Sequence, residues 1–315
     1  MKPTILLTGK NGQLGAELQS HLPRLGRVVA LDRQELDLQK PDDICRVIQD
    51  LRPQLIINAA AYTAVDRAEV DEENAYAINA KALAVIAEEA KKTGAALVHY
   101  STDYVFDGRE SSPRLETDPT LPINVYGKTK LAGEQAIRAA GIPHLIFRTS
   151  GVYATRGKNF LLTILRLATE NEELRIVRDQ TGAPTSSREI ARASTKILGH
   201  HLGQGSHTPA MSEISGTYHM TAAGETTWYD FAEAILDEAR SIAPGRPWYV
   251  AATGGRPLVV RRIIPISSQE YGAPAPRPAY SVLSSRRFQE TFSFRLPDWR
   301  TQLHDVFASD PTENR

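Results

Sequence analysis

The chain has 315 residues, with 37 lysines and arginines against 37 aspartates and glutamates and a single cysteine. Balanced charge without long like-charge blocks removes the electrostatic footprint of a nucleic-acid binder. One cysteine, Cys45, excludes an internal disulfide, and no apolar stretch approaches the roughly 20 residues that cross a bilayer. The length exceeds one compact core and suits a large α/β unit with a smaller satellite. These bounds point to a cytoplasmic protein whose partners are small molecules, with no nucleic acid and no membrane.

From the N-terminus, "TILLTG" reads as a strand, followed by a helix after Gly12, the strand "RVVALD", a helix from about Pro41 and the strand "QLIINAAA". Next come the long helix "EENAYAINAKALAVIAEEAKKTG", the strand "ALVHYST", a helix opening near Tyr126 and the strand "HLIFRTS". Short apolar runs separated by helices of this length predict βαβ crossovers and a Rossmann-type doubly wound parallel sheet, with residues 1–150 as a dinucleotide-binding domain. Cys45 lies in the helical pattern "PDDICRVIQDL" and reads as a packing residue. Past Ser150 the alternation loosens. Helical stretches near 159–170, 187–199 and 228–241 and a strand-like "GTYHMTA" give residues 151–315 the look of a smaller, mixed α/β substrate-binding domain, with a segment at about 180–200 returning to the first domain. Residues 203–216 read as a Gly/Ser-rich surface loop, and 244–277, rich in proline and glycine, as mainly loops of the kind that grip substrates.

Glycines at 9, 12 and 15 follow the first strand and open the first helix in "LLTGKNGQLGAEL". Such spacing permits close backbone approach and aims free N–H groups at a pyrophosphate; a tight turn without a ligand is the plainer alternative. Asn11, Gln13 and Leu14 lie between and beside these glycines and join them as candidate cofactor contacts. At the end of the second strand, Asp32 suits ribose hydroxyls and Arg33 a 2′-phosphate, which leaves NADPH and NADH both open. Asp37 and Leu38 follow as candidates to flank the adenine.

Tyr126 and Lys130 stand one helical turn apart in "NVYGKTKLAGE", and none of the other ten tyrosines has a lysine four residues on. The run "VHYSTDYVFDG" delivers Thr102, Asp103 and Tyr104 where a parallel strand ends, at the border of the ligand crevice. Thr102 is placed to hydrogen-bond a carbonyl oxygen, Tyr126 to exchange its proton, and Lys130 to lower the phenol pKa and hold the nicotinamide ribose. Tyr100 and Tyr104 also fit aromatic packing, Asp103 a turn, Asn79 a local hydrogen-bonding role and His99 a packed strand position. The eight histidines show no ligand spacing, so no metal site is expected.

Together, "TGKNGQLG", "NAAAYTAVDRAE", "YSTDYVFDG", "ETDPTLPINVYGKTKLAGE", "LIFRTSGVY", "DQTGAPT", "TTWYDFAEAI" and "RPAYSVL" resemble the extended short-chain dehydrogenase/reductase superfamily and, within it, the dTDP-4-dehydrorhamnose reductase family. The resemblance covers nearly the whole chain. It implies NAD(P)H-dependent reduction of the C4 ketone of dTDP-4-dehydro-L-rhamnose to dTDP-L-rhamnose. By that likeness Gly9, Gly12 and Gly15 cradle the pyrophosphate, Ala59, Ala60 and Ala61 line its path, and Thr102, Tyr126 and Lys130 form the catalytic set. Val65, Asp66, Asp103 and Tyr104 would lie near the substrate, with Arg277 clamping its diphosphate. Gly151 stands where many members carry a tryptophan, so a reductase or epimerase acting on another nucleotide sugar is one alternative; a non-catalytic, cofactor-binding regulatory subunit, as occurs among relatives, is another, against which the intact Thr102, Tyr126 and Lys130 speak. Some members bridge a dimer with a divalent cation held by glutamates. Glu17 matches one such position, but Arg188 and Arg286 take two others, so no magnesium is expected, and the chain is read as a monomer or a metal-independent dimer.

Overall fold

The computed structural model describes residues 2–201, 210–241 and 245–308. Its first part alternates strand and helix: β1 (Thr4–Thr8), α1 (Gln13–His21), β2 (Arg27–Leu31), α2 (Pro41–Leu51), β3 (Leu55–Asn58) and α3 (Val65–Ala68). A long helical run follows as α4 (Glu72–Tyr76), a π-helical turn at Ala77–Lys81 and α5 (Ala82–Thr93), then β4 (Ala96–Thr102), α6 (Val125–Ala140) and β5 (His144–Thr149). Later elements are α7 (Phe160–Ala168), β6 (Glu173–Val177), β7 (Thr181–Gly182), α8 (Ser187–His201), β8 (Gly216–His219), β9 (Thr226–Thr227) and α9 (Trp228–Ser241). The chain closes with α10 (Pro247–Thr253), β10 (Arg262–Ile266), α11 (Ser268–Tyr271), α12 (Arg286–Phe292) and α13 (Trp299–Ala308).

Six strands form one parallel sheet in the order β2-β1-β3-β4-β5-β8. Its central strands are apolar along their length because helices cover both faces. Ile5, Leu7, Leu55, Ile57, Val98 and Phe147 point to the side packed by α1, α8 and α12. The intervening Leu6, Ile56, Leu97 and Ile146 point to the side packed by α2, α5 and α6. Thus α8, β8 and α12 belong to this core although they follow residue 150. A second core gathers Leu161, Leu165, Phe231, Ile235, Trp248, Trp299 and Phe307 from α7, α9, α10 and α13, with Tyr153 from the segment before α7.

Residues 244–277 differ from the loop expectation: they contain α10, β10 and α11, and β10 pairs in parallel with β6 from Arg262↔Glu173 to Ile266↔Val177. Of the stretch 203–216, residues 203–209 lie outside the described residues. Its end is anchored, since Met211 and Ile214 are buried in the first core. Cys45 is partly buried on α2. No helix among the described residues is long and apolar enough to cross a membrane.

Candidate active site

The turn after β1 is built for close approach. Gly9 sits at φ +77°, and a Cβ there would lie 2.8 Å from the Ala60 nitrogen. One on Gly12 would come within 3.2 Å of the Gly9 carbonyl oxygen. A Cβ on Gly15 would fall 2.1 Å from that same oxygen. Gly15 therefore lets α1 start hard against the turn; it is buried beneath it and does not line the cavity that the turn borders, unlike Gly9 and Gly12. That cavity, about 570 Å³, is also lined by Asn11, Gln13, Leu14, Asp32, Arg33, Asp37, Leu38, Ala59, Ala60, Ala61, Tyr126 and Lys130. It brings together nearly every residue that the sequence offered for a dinucleotide, and the open N-terminus of α1 with these glycines suits a pyrophosphate. Asp32 accepts from Asn11 Nδ2 at 2.9 Å and from the main-chain N–H groups of Gln34 and Glu35, which hold its carboxylate below the usual range despite desolvation. Arg33 is mostly exposed and donates to Gln39 Oε1 at 2.9 Å.

An adjoining cavity of about 310 Å³ carries Val65, Thr102, Asp103, Tyr104, Tyr126, Gly151, Phe160, Gln180, Pro184, Trp228 and Ser281 on its walls. Tyr126 lines both spaces, whereas Thr102 faces only the smaller and Lys130 only the larger. Asn124 caps α6 by accepting from the Gly127 N–H at 2.7 Å, which sets the turn that carries Tyr126. The Tyr126 ring packs edge-on to Tyr104 at 5.9 Å and shares the wall of the smaller cavity with Thr102. Thr102 Oγ1 donates to Asp103 Oδ1 at 2.9 Å, and Ser150 donates to Asp103 Oδ2 at 2.8 Å. Burial pushes the Asp103 carboxyl up.

Burial and then the Asp103 charge push the Tyr126 phenol up, contrary to the lowering expected from Lys130. The physical reason is direction. The Lys130 amine is directed at the Tyr100 carbonyl at 2.6 Å and at His99 Nε2 at 3.0 Å, and burial brings that amine down from 10.5 to about 7. His99 is thus packed in its strand and also touches the lysine. Asn79, in the π-helical turn, accepts from the Tyr62 N–H at 2.8 Å and donates to the Tyr62 carbonyl at 3.0 Å, which fixes the loop beside the cavities. Asp66 and Arg277, both offered for substrate, bind each other at 2.9 Å. Glu17 lies in the field of Arg188 and Arg156, while Arg286 donates to Glu290 at 2.7 Å. Among the described residues no group of three or more His, Cys, Asp or Glu is placed to hold a metal ion.

Sequence reading missed Phe160, Gln180, Pro184, Trp228 and Ser281 as wall residues, and Asn58 and Thr8 behind Lys130. The motifs "DQTGAPT" and "TTWYDF" held part of that signal.

A doubly wound parallel sheet, a glycine turn after its first strand and a Tyr–Lys pair where two cavities meet define a dinucleotide-dependent oxidoreductase of the short-chain dehydrogenase/reductase type. The model of the family described as the RmlD substrate binding domain matches residues 1–311, and the chain belongs to this family, that of the dTDP-4-dehydrorhamnose reductases. It is 49% identical over 296 residues to the dTDP-4-dehydrorhamnose reductase of Burkholderia thailandensis, covering 94% of this chain and 95% of that one. It is 43% identical over 313 residues to that of Escherichia coli K12, covering 97% and 98%. Among solved structures, the dTDP-4-dehydrorhamnose reductase of Bacillus anthracis in complex with NADP superposes with a TM-score of 0.85 at 34% identity, covering 98% and 99%. The UDP-glucose 4-epimerase of Thermus thermophilus, in complex with NAD, shares the fold at a TM-score of 0.74 with 17% identity.

Proposed function

We propose that this chain reduces the C4 ketone of dTDP-4-dehydro-L-rhamnose to dTDP-L-rhamnose, using NADPH or NADH. The observation that carries this reading is the position of Tyr126 at the junction of the two cavities, within a chain 49% identical to a curated reductase of that name. The larger cavity would take the dinucleotide: Gly9, Asn11, Gly12 and Gln13 at the pyrophosphate, Asp32 and Arg33 at the adenosine ribose, Asp37 and Leu38 at the adenine, with Leu14 and Ala59 to Ala61 along the wall. The bound dihydronicotinamide supplies the hydride.

The smaller cavity would take the sugar. Thr102 would donate to the C4 oxygen and Tyr126 would protonate it as the carbon is reduced. A phenol held well above its ordinary range keeps its proton at neutral pH until oxygen charge develops nearby. In the free chain the single Thr102 hydroxyl hydrogen goes to Asp103 Oδ1 at 2.9 Å, and it would turn to the C4 oxygen as substrate enters. Val65, Tyr104 and the Asp66–Arg277 pair border the entrance, and Arg277 would exchange the Asp66 carboxylate for the substrate diphosphate. We assign residues 1–150, with α8, β8 and α12, to the cofactor half and the remainder mainly to the substrate half. We also assign metal-independent catalysis, because Glu17 faces arginines, and a cytoplasmic location.

The test is oxidation of NADPH and NADH, in separate runs, by purified protein supplied with dTDP-4-dehydro-L-rhamnose, with and without chelator. Oxidation that yields dTDP-L-rhamnose at equal rates in both buffers is expected. Cofactor binding without turnover would overturn the substrate assignment, and loss of activity on chelation would overturn the metal assignment.

A further inference from the structure

Of the described residues that line both cavities, Lys158 alone carries a charge. It belongs to the polar segment 154–159, "ATRGKN", which leads from Tyr153 into α7. This segment is pinned across the start of α1. The Asn159 side-chain nitrogen lies 2.8 Å from Gln13 Oε1, 2.9 Å from the Ala154 carbonyl and 3.0 Å from the Arg156 carbonyl, sharing its two hydrogens among them. Asn159 Oδ1 accepts from the Leu162 N–H at 3.1 Å and so also caps α7. Gly157, at φ +74°, lets the chain pass so near Gln13 that a Cβ would meet its Cγ at 3.1 Å. Gln13 is the first residue of α1. Segment 154–159 is thus a strap laid over the helix start that the glycine turn opens, and Phe160, next along, forms wall of the smaller cavity.

Charge balance decides what the strap is for. A dinucleotide pyrophosphate carries one negative charge on each phosphate, and the N-terminus of α1 offsets only about half of one. Taking that dianion out of water needs a side-chain cation as well. The cations of the region can be taken in turn. Lys10, in the glycine turn, donates to Glu35 at 2.5 Å, lies 3.7 Å from Asp32 and does not line the cavity. Arg33 donates to Gln39 and lies 3.8 Å from Asp37, beside the candidate adenosine contacts. The Lys130 amine is buried against the Tyr100 carbonyl and His99. The Arg156 charge falls on Glu17. Lys158 is left. It is exposed, and among the described residues no carboxylate lies within ion-pair distance of its ammonium.

We propose, building on the assignment of the larger cavity to a dinucleotide, that Lys158 is a cofactor-binding residue whose ammonium pairs with the pyrophosphate from the strap side, opposite the N-terminus of α1. The pyrophosphate is then held between the two halves of the chain, by α1 from the cofactor half and by the strap from the substrate half. A lysine suits this task because a compact charge on a flexible stem needs no fixed orientation toward either phosphate. The binding of either nicotinamide cofactor therefore contains a share that salt screens and that depends neither on a 2′-phosphate nor on the nicotinamide ring.

The experiment is equilibrium binding of NADPH, NADH and ADP-ribose to the full-length wild type, Lys158→Met and Lys158→Arg. Nicotinamide fluorescence follows the first two ligands and displacement of NADPH the third, at low salt and at about 0.5 M salt, where the Debye length falls to a few ångströms. Lys158→Met is expected to raise Kd for all three ligands by a similar factor, about fivefold at low salt, and to converge on the wild type at high salt. Lys158→Arg keeps the charge and should stay within about twofold of the wild type. A loss confined to NADPH would move the lysine to the 2′-phosphate, and one absent with ADP-ribose would move it to the nicotinamide end. An unchanged Kd, or a difference that survives high salt, would leave it a solvated or merely structural residue. Each of these results overturns the proposal. Failure of the wild type to bind any of the three ligands would overturn the dinucleotide reading together with the proposal, and so is told apart from the other failures.

Discussion

Replacing Lys130 by methionine keeps an unbranched side chain of similar length while removing the one group expected to titrate between pH 7 and 9 inside the core. The Lys130 amine stands at about 7 in the folded chain against 10.5 for an ordinary lysine. Between those values the unfolded chain binds the extra proton, so folding stability rises with pH across this window, and the full destabilisation is present below it. One proton is worth about 1.4 kcal/mol per pH unit; with the amine half-titrated at pH 7 and almost neutral at pH 9, the wild type should gain about 2 kcal/mol over this interval relative to Lys130→Met. Groups outside the window cancel in the comparison. His99 would contribute below its ordinary value, and Tyr100, Tyr104, Tyr126 and Tyr153, all raised by burial, would contribute with opposite sign above theirs. Urea unfolding of both proteins at the two pH values, followed by tryptophan fluorescence, measures the difference. A wild-type advantage that stays flat within about 0.5 kcal/mol, or that falls as pH rises, would refute a buried amine of lowered pKa.

Tyr126→Phe should bind NADPH about as tightly as the wild type, measured by nicotinamide fluorescence, while turnover falls on the order of a hundredfold or more for loss of a positioned acid. Equal turnover would remove Tyr126 from that role. Gly15→Ala places a methyl 2.1 Å from the Gly9 carbonyl oxygen, among backbone atoms that cannot yield cheaply. It should lower stability by about 1–3 kcal/mol and weaken NADPH binding, and an unaltered melting temperature and affinity would contradict the packing role given to Gly15. Arg277→Ala should raise KM for the nucleotide sugar about tenfold or more, the loss expected for a charge-assisted contact, with a smaller change in kcat. In Asp66→Asn the guanidinium is released from its 2.9 Å partner, so KM should stay level or fall. Steady-state kinetics of the pair separates a substrate clamp from a simple structural latch.

The central sheet was legible because its strands are buried on both faces and therefore stand out as short apolar runs between helices. The larger cavity was legible for a related reason: its wall comes mostly from the ends of β1, β2 and β3 and the turns that follow them, so neighbours in sequence remain neighbours in space. Strands β6 and β10 lacked both advantages. Each mixes exposed and buried positions, β10 contains Pro265, and their pairing joins segments 89 residues apart, as at Glu173↔Arg262. Local pattern cannot announce a partner at that distance. The direction of the Lys130 amine was likewise out of reach, because Thr8, Asn58 and His99 align only once three strands are in register.

Gly151 shows where reading one position at a time misleads. Taken alone, it removes an aromatic surface from the substrate side of the family pattern. In the fold it adopts φ +52°, and a Cβ there would lie 3.1 Å from Pro184 Cα and 3.2 Å from the Trp228 ring. The space beside it is therefore already bordered by another aromatic group. Trp228 is held by Phe160, with ring centroids 4.6 Å apart, and both line the smaller cavity. The apolar wall is thus a product of packing between α7, α9 and the segment around Pro184, and it does not require a large residue at position 151. That weakens Gly151 as a reason to look for a different sugar, because the shape of the pocket follows from the side chains that converge on it and not from one position in an aligned motif.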